Sequence, residues 1–203
     1  MGASKVAWAV WLGGVRHFVV VLDALDYWWH RWNHRIPLLW RFHKAHHADN
    51  EIDVSTALRF HPGELLVSGG MKGIWIVLWG PSAVAWFVFE AAVSLSAQWH
   101  HANIDLPDRV ESKLKHLIVT PRYHAMHHMV DRSYGDAYFS TVFSIWDVIW
   151  KTRGTYQTRD EMRDVELGLP DERETSLSVL EWIREPMRGR NLALSRMQPS
   201  ELD

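Results

Sequence analysis

Apolar and polar positions divide this chain into three unequal stretches. Val6 to Leu25 is largely apolar but carries Arg16 and His17 in its middle, which makes it a weak candidate for a membrane span. Leu65 to Trp99 is almost continuously apolar, with Lys72 and Glu90 as its only charges and Gly80 followed by Pro81 as a natural break. This pattern predicts a helical hairpin whose arms have about 16 residues each, or roughly 24 Å. Arms of that length fall short of a ~30 Å hydrocarbon core, so they dip into a bilayer or cross a thinned one. A helix pair buried in a soluble core is the alternative. Beyond Thr152 polar and charged residues dominate, and a short amphipathic segment follows. There Ser178 and Glu181 form a candidate capping box, while Leu177, Leu180 and Ile183 recur at helical spacing.

The pattern predicts an all-α protein: a membrane-embedded helical bundle with a hairpin over residues 1–155, and a polar tail with a short docking helix over 156–203. Neither a cleavable leader nor a myristoylation signal is expected from the first residues, since Arg16 follows too soon and position 6 is Val.

Composition changes this picture in three ways. The 22 Lys and Arg against 24 Asp and Glu leave a formal charge of −2, which gives no electrostatic basis for binding nucleic acid. Cysteine is absent, and with it disulfide scaffolds, thiolate zinc sites, iron–sulfur clusters and a Cys nucleophile. Thirteen Trp and thirteen His in 203 residues are far above the needs of an ordinary core: the first suggests a membrane interface, the second metal.

The histidines come in ordered groups. His30 and His34 stand at i and i+4, so on a helix both rings project from one face. HxxHH occurs at His43, His46 and His47 and again at His124, His127 and His128. On a helix each triplet lies on one stripe, so its three imidazoles are expected to converge. Eight imidazoles exceed the four positions of one tetrahedral ion and the six of one octahedral ion, which argues for two metals close together. His61 and His101 flank the hairpin, whose out-and-back path returns both to the same side and completes the set. Of the adjacent His100 and His101, one ring is expected to ligate, and His101 is favoured. Neither HExxH nor the ExxH pair of ferritin-like bundles occurs, and no dinucleotide or ATP motif appears, so any reductant comes from a partner.

These motifs stand in a familiar frame: AspTyrTrpTrpHisArgTrpAsnHis at 26–34, LeuTrpArgPheHisLysAlaHisHis at 39–47 and ThrAlaLeuArgPheHisProGlyGlu at 56–64. HisAlaAsnIle at 101–104, ThrProArgTyrHisAlaMetHisHis at 120–128 and SerIleTrpAsp at 144–147 continue it. In motif order and spacing over roughly residues 20–155 the chain resembles the sterol desaturase and fatty acid hydroxylase superfamily. The resemblance implies an integral-membrane helical oxidoreductase that hydroxylates or desaturates a sterol, fatty acyl or carotenoid-like lipid with O2. It implies two iron ions in a histidine-rich cap on the cytosolic side, zinc being a possible substitute in purified protein. Electrons would come from a separate donor of the cytochrome b5, ferredoxin or reductase kind. By motif position His30, His34, His43, His46, His47, His61, His101, His124, His127 and His128 carry over as ligands, and Asp26, Asp53, Glu64 and Asp147 as acids that orient the rings. The alternative is a non-catalytic or zinc-containing metal-binding protein of the same family. Three features depart from the family pattern. Its Asn-Tyr or Asn-Phe pair is replaced, either by Ser133 before Tyr134 or by Tyr138 before Phe139. Its Phe-Gly-Thr turn is replaced around Ile149, Trp150, Lys151 and Thr152, and its N-terminal helices are reduced to one interrupted segment.

Overall fold

The computed structural model describes residues 2–169 and 179–188, and among them it contains helices and no strand. A long first helix, α1 (Gly2–Arg35), ends where Ile36 precedes Pro37. The residue before a proline is disfavoured in the α region, and Ile36 is extended at φ −96°. Pro37 then opens α2 (Pro37–His47), its missing N–H falling where a helix has no acceptor to offer.

The hairpin forms as the apolar pattern predicts, from α3 (Pro62–Trp79) and α4 (Ala83–His100). At 18 residues each arm is about 27 Å long. Pro62 opens α3, the His61 ring accepts a hydrogen bond from the Gly63 N–H, and Gly80 closes the helix in the left-handed region at φ 56°. Ser82 caps α4 by accepting from the Ala85 N–H. Short helices follow: α5 (Asp108–Leu114), α6 (Pro121–His127), α7 (Arg132–Gly135) and α8 (Ile145–Ile149). Thr120 caps α6 through the Tyr123 N–H, again with a proline in the first turn.

Helix α1 packs on α2 and α4, and α4 in turn on α6. The hairpin closes on α1 through Leu22, Trp75 and Phe89, flanked by Phe18, Trp29 and Trp86. A second core joins Val119, Tyr123 and Met126 to Ala137 and Tyr138. Two buried acids tie the segment before α8 into this frame. Asp23 of α1 accepts from the Val142 and Phe143 N–H groups and from the Trp146 indole. Asp147 accepts from the Phe139 and Ser140 N–H groups, from Tyr123 and from Thr152. Gly168 is fixed by space: at φ 93° it donates to the His128 carbonyl, and a Cβ there would lie 2.4 Å from Asn50 Oδ1.

Apolar side chains crowd the outer face of the hairpin. Val77 is 83% exposed and Leu66 79%, with Leu78 and Phe87 similarly open. No helix among the described residues is long and apolar enough to cross a membrane, so the spanning bundle that the resemblance implies is not found there. The tail helix α9 (Val179–Arg184) is followed by a turn over Glu185–Arg188 that lies against α2. Ser178 and Leu177 of the expected capping segment lie outside the described residues.

Candidate metal centre

Each turn of an α-helix advances 3.6 residues, or 100° per residue, so positions i and i+4 nearly eclipse while neighbours diverge. That geometry decides how the histidines divide. His30, His34, His43, His47 and His127 bring one ring nitrogen each to within 4.8 Å of the others, and His46, His101, His124 and His128 do the same in a second group. The triplets do not converge whole, as the single-stripe reading expected. On α2, His43 and His47 face the first group while His46 turns to the second. On α6, His124 and His128 face the second while His127 turns to the first. Each HxxHH is thus a splitter, its i, i+4 pair serving one group and its i+3 ring the other. The groups share a wall: the His47 and His128 rings stack with centroids 4.3 Å apart.

The rings are held from behind. His30 Nδ1 donates to the Phe139 carbonyl at 2.9 Å, His127 Nδ1 to the Ala137 carbonyl at 2.7 Å, and His43 Nδ1 to Glu64 Oε1 at 2.8 Å. In the second group His101 Nδ1 donates to the Ala97 carbonyl at 2.7 Å and His46 Nδ1 to the Thr56 carbonyl at 3.2 Å. A carbonyl or carboxylate only accepts, so each contact puts the proton on Nδ1 and leaves Nε2 with a bare lone pair facing inward. Such an outer partner fixes the tautomer and orientation of a metal-binding imidazole.

The inward atoms are those of a ligand set. Nε2 of His34, His43, His47 and His127 is buried with no hydrogen-bond partner. In the second group, Nε2 of His46 lies 3.2 Å from that of His101, which lies 3.0 Å from that of His124, itself 3.1 Å from that of His128. His46 and His101 have both committed their protons outward, so two lone pairs face each other, a repulsive contact unless a Lewis acid stands between them. Ligands ~2.0–2.1 Å from a first-row ion lie about 3 Å from one another, as these do. Burial also holds the rings neutral. It pushes His101 down to about 4 and His30 to about 3, and takes His34, His46, His47, His124, His127 and His128 well below the usual imidazole range. The residues fit two divalent cations.

His61 is not brought into either group. Its Nδ1 accepts from Gly63 and its Nε2 faces the Ile183 carbonyl at 3.1 Å, so it works as a helix cap and tail contact. His100, set aside in favour of His101, stays out of both groups although its ring centroid is 4.0 Å from that of His124 and its Nδ1 is buried without a partner.

The four acids also separate. Glu64 alone bonds an imidazole. Asp147 acts one step further out, holding the strand-like segment whose Ala137 and Phe139 carbonyls anchor His127 and His30. Asp53 closes a turn with Ser55, and Asp26 lines a cavity. The carbonyl anchors were missed in the sequence because any residue type supplies a carbonyl. Lys72 and Glu90, bonded at 2.8 and 3.0 Å, did leave a signal: they stand at equal distances either side of Pro81, so a hairpin sets them abreast.

Beside the histidines opens a cavity of about 470 Å³ that runs between α1 and the inner faces of α3 and α4. His30, His43, His46, His101 and His124 form one end of it.

The chain is similar to alkylglycerol monooxygenase of Homo sapiens, 28% identical over 147 residues, which cover 69% of this chain and 30% of that protein. Alkylglycerol monooxygenase of Danio rerio is 28% identical over 149 residues, 72% of this chain and 30% of its own length. Ornithine lipid hydroxylase OlsE of Rhizobium tropici is 26% identical over 151 residues, 74% of this chain and 44% of its own length. The chain thus spans less than half the length of these curated relatives. No solved structure matches it. The fatty acid hydroxylase model matches residues 15–152, from the middle of α1 to the threonine bonded by Asp147, and takes in every ring of both histidine groups. By that match the chain belongs to the fatty acid hydroxylase family.

Proposed function

We propose that this protein is an O2-dependent oxidoreductase that hydroxylates a membrane lipid at a pair of iron ions. One ion is held by His30, His34, His43, His47 and His127, the other by His46, His101, His124 and His128. The observation that carries the reading is the double ligand set opening into an apolar-walled cavity. The named relatives, a monooxygenase and a hydroxylase of lipids, support it.

The chemistry that iron supplies when bound is reduction of O2, with one oxygen atom entering a C–H bond and the other leaving as water. Two electrons and two protons balance that reaction, and the chain has no dinucleotide motif, so a separate donor of the cytochrome b5, ferredoxin or reductase kind delivers the electrons. The protein's own residues do the rest. Neutral imidazoles bind without cancelling the cations' charge, the Nδ1 anchors keep each Nε2 aimed inward, and the cavity holds a carbon chain against the histidine end with water excluded. The exposed apolar face of the hairpin fits immersion in lipid, which delivers the substrate laterally. Arg31, Arg35, Arg41 and Lys44 sit at the histidine end and the tip around Gly80 carries no charge, a bias that supports the cytosolic side for the histidine end.

Elemental analysis of the detergent-purified protein beside a His46→Ala, His127→Ala variant tests the reading. Two irons per chain, lost in the variant, with O2 uptake that requires lipid and reductant, is the expected result. Zinc alone without O2 uptake favours the non-catalytic member of the family, and metal indifferent to the substitutions overturns the ligand assignment.

A further inference from the structure

The end of the cavity away from the histidines is polar where a purely hydrocarbon substrate would need it apolar. Asp26 lies on α1 one turn before His30, with Trp29 and Asn33 on the same stripe lining the cavity. Lys72 enters from α3 and Glu90 from α4, each about 15 Å of helix from the histidine end. The ammonium of Lys72 is taken up by both oxygens of Glu90, at 2.8 and 3.0 Å. Asp26 is only 7% exposed, faces the cavity, and among the described residues receives no hydrogen bond. Its nearest charges do not balance it, for Lys72 opposes while Asp23 and Glu90 add to the negative field.

We propose that this end of the cavity binds the ammonium group of an amine-bearing lipid, with Asp26 as its counter-ion and Glu90, which Lys72 now engages, as the second carboxylate beside it. The inference rests on the reading that the cavity takes a lipid, and it names which class. An ammonium brings both the donors that the Asp26 oxygens lack and the positive charge that the trio is short of. A hydroxyl supplies one donor and leaves the charge uncompensated. A carboxylate meets Asp26 and Glu90 as like charges and finds Lys72 already engaged. Burial pushes the Asp26 carboxyl up to about 7, which marks a group that gains from an arriving cation. The spacing also sets a register. With the ammonium about 6 to 15 Å of helix rise from the histidine rings, the carbon presented to them lies along the chain and not beside the amine.

Hexadecylamine, hexadecanol and palmitic acid serve as probes of equal chain length, with binding to the metal-loaded full chain read by native mass spectrometry from detergent. The wild type is expected to bind hexadecylamine at least tenfold more tightly than hexadecanol, with palmitic acid weakest. Asp26→Asn is expected to erase the preference for amine while retaining the alcohol. Lys72→Met, which removes the competing ammonium, is expected to tighten amine binding severalfold, a gain that a purely structural staple would not give. Equal binding of amine and alcohol, or a preference for the acid, overturns the amine site and leaves the lipid cavity standing. Binding of none of the three overturns both. Should Asp26→Asn lose its metal or fold, the wild-type ranking and Lys72→Met still decide.

Discussion

The two histidine groups are cut from the same two motifs, yet the fold supports them unequally. The five-membered group is braced by three outer hydrogen bonds, to Glu64 and to the carbonyls of Phe139 and Ala137, and Asp147 holds the Phe139 carbonyl in turn through the Phe139 and Ser140 N–H groups. The four-membered group has two, the Ala97 and Thr56 carbonyls, while Nδ1 of His124 and of His128 is buried without a partner. The difference follows from position. Helices α1 and α2 supply four of the first group's five rings, whereas the second draws on three places, one ring from α2, one from the end of the hairpin and two from α6 and its C-terminal cap. The first is built as the more fixed seat and the second as the more adjustable one, and both send rings to the cavity.

Removing ligands tests the comparison hardest. His101→Ala leaves three rings in the smaller group, and metal content is expected to fall from two ions to one with loss of activity. His34→Ala leaves four in the larger group, and both ions are expected to remain at stoichiometric loading, with affinity at that group lowered on the order of 100-fold. Elemental analysis and metal titration read both results. Equal loss in the two variants would show that the groups are equally supported.

Asp147→Ala acts on one group from a distance. It frees four donors that a buried carboxylate now satisfies, and is expected to cost about 3 kcal/mol, a fall of about 10 °C in Tm. Metal affinity should drop at the five-membered group alone, since His46 and His101 are anchored elsewhere.

Acid acts on what the groups share. His101 titrates near 4 in the folded chain and near 6.5 unfolded, so between those values the unfolded state holds more protons and stability falls as pH falls. Nothing is lost above about 6.5. For His101 alone the loss is about 2 kcal/mol by pH 5 and approaches about 3 kcal/mol near pH 4. Thermal unfolding of the metal-free protein across this range checks the sign, and a flat profile would mean that the rings are not buried as neutral imidazoles. Glu64→Gln is a smaller change that separates the groups again. It keeps an acceptor for His43 but removes its charge, and is expected to weaken metal at the five-membered group about 10- to 100-fold without touching the other.

The sequence announced some of this architecture and concealed the rest. Apolar runs with proline and glycine at their ends made the hairpin readable, because Gly80 and Pro81 act locally. The histidine spacing made the candidate ligand set readable, and nine of the ten carried-over rings meet in the two groups. The division of each triplet was also implicit, in the 100° between neighbours on a helix, but it needs a second helix to show which side each ring faces. His61 escaped for another reason: at the first turn of a helix its Nδ1 accepts from the Gly63 N–H, which leaves the proton on Nε2, where it meets the Ile183 carbonyl and no lone pair remains for a metal. The polar wall of Asp26, Lys72 and Glu90 depends on three helices meeting, which no single window of sequence contains.

The least effect belongs to the turn after α8. Lys151 sits at φ 55°, where a Cβ is strained and a glycine would not be. Tyr138, the residue before Phe139, likewise stands at φ 59°, in the region asparagine tolerates. The two sites respond oppositely to substitution. Tyr138 is fully buried in the second core, so Tyr138→Asn would relieve about 1 kcal/mol of backbone strain and forfeit about 3 kcal/mol of packing. Lys151 is exposed and has no such packing to lose. Lys151→Gly is therefore expected to stabilise the protein by about 1 kcal/mol, a rise of about 3 °C in Tm. The next residue, Thr152, donates to Asp147 and bonds Tyr27 of α1 at 2.7 Å, so the relief reaches the brace of the five-membered group and not that of the four-membered one. A gain in Tm with metal affinity changed only at the five-membered group would tie that turn to the seat it supports.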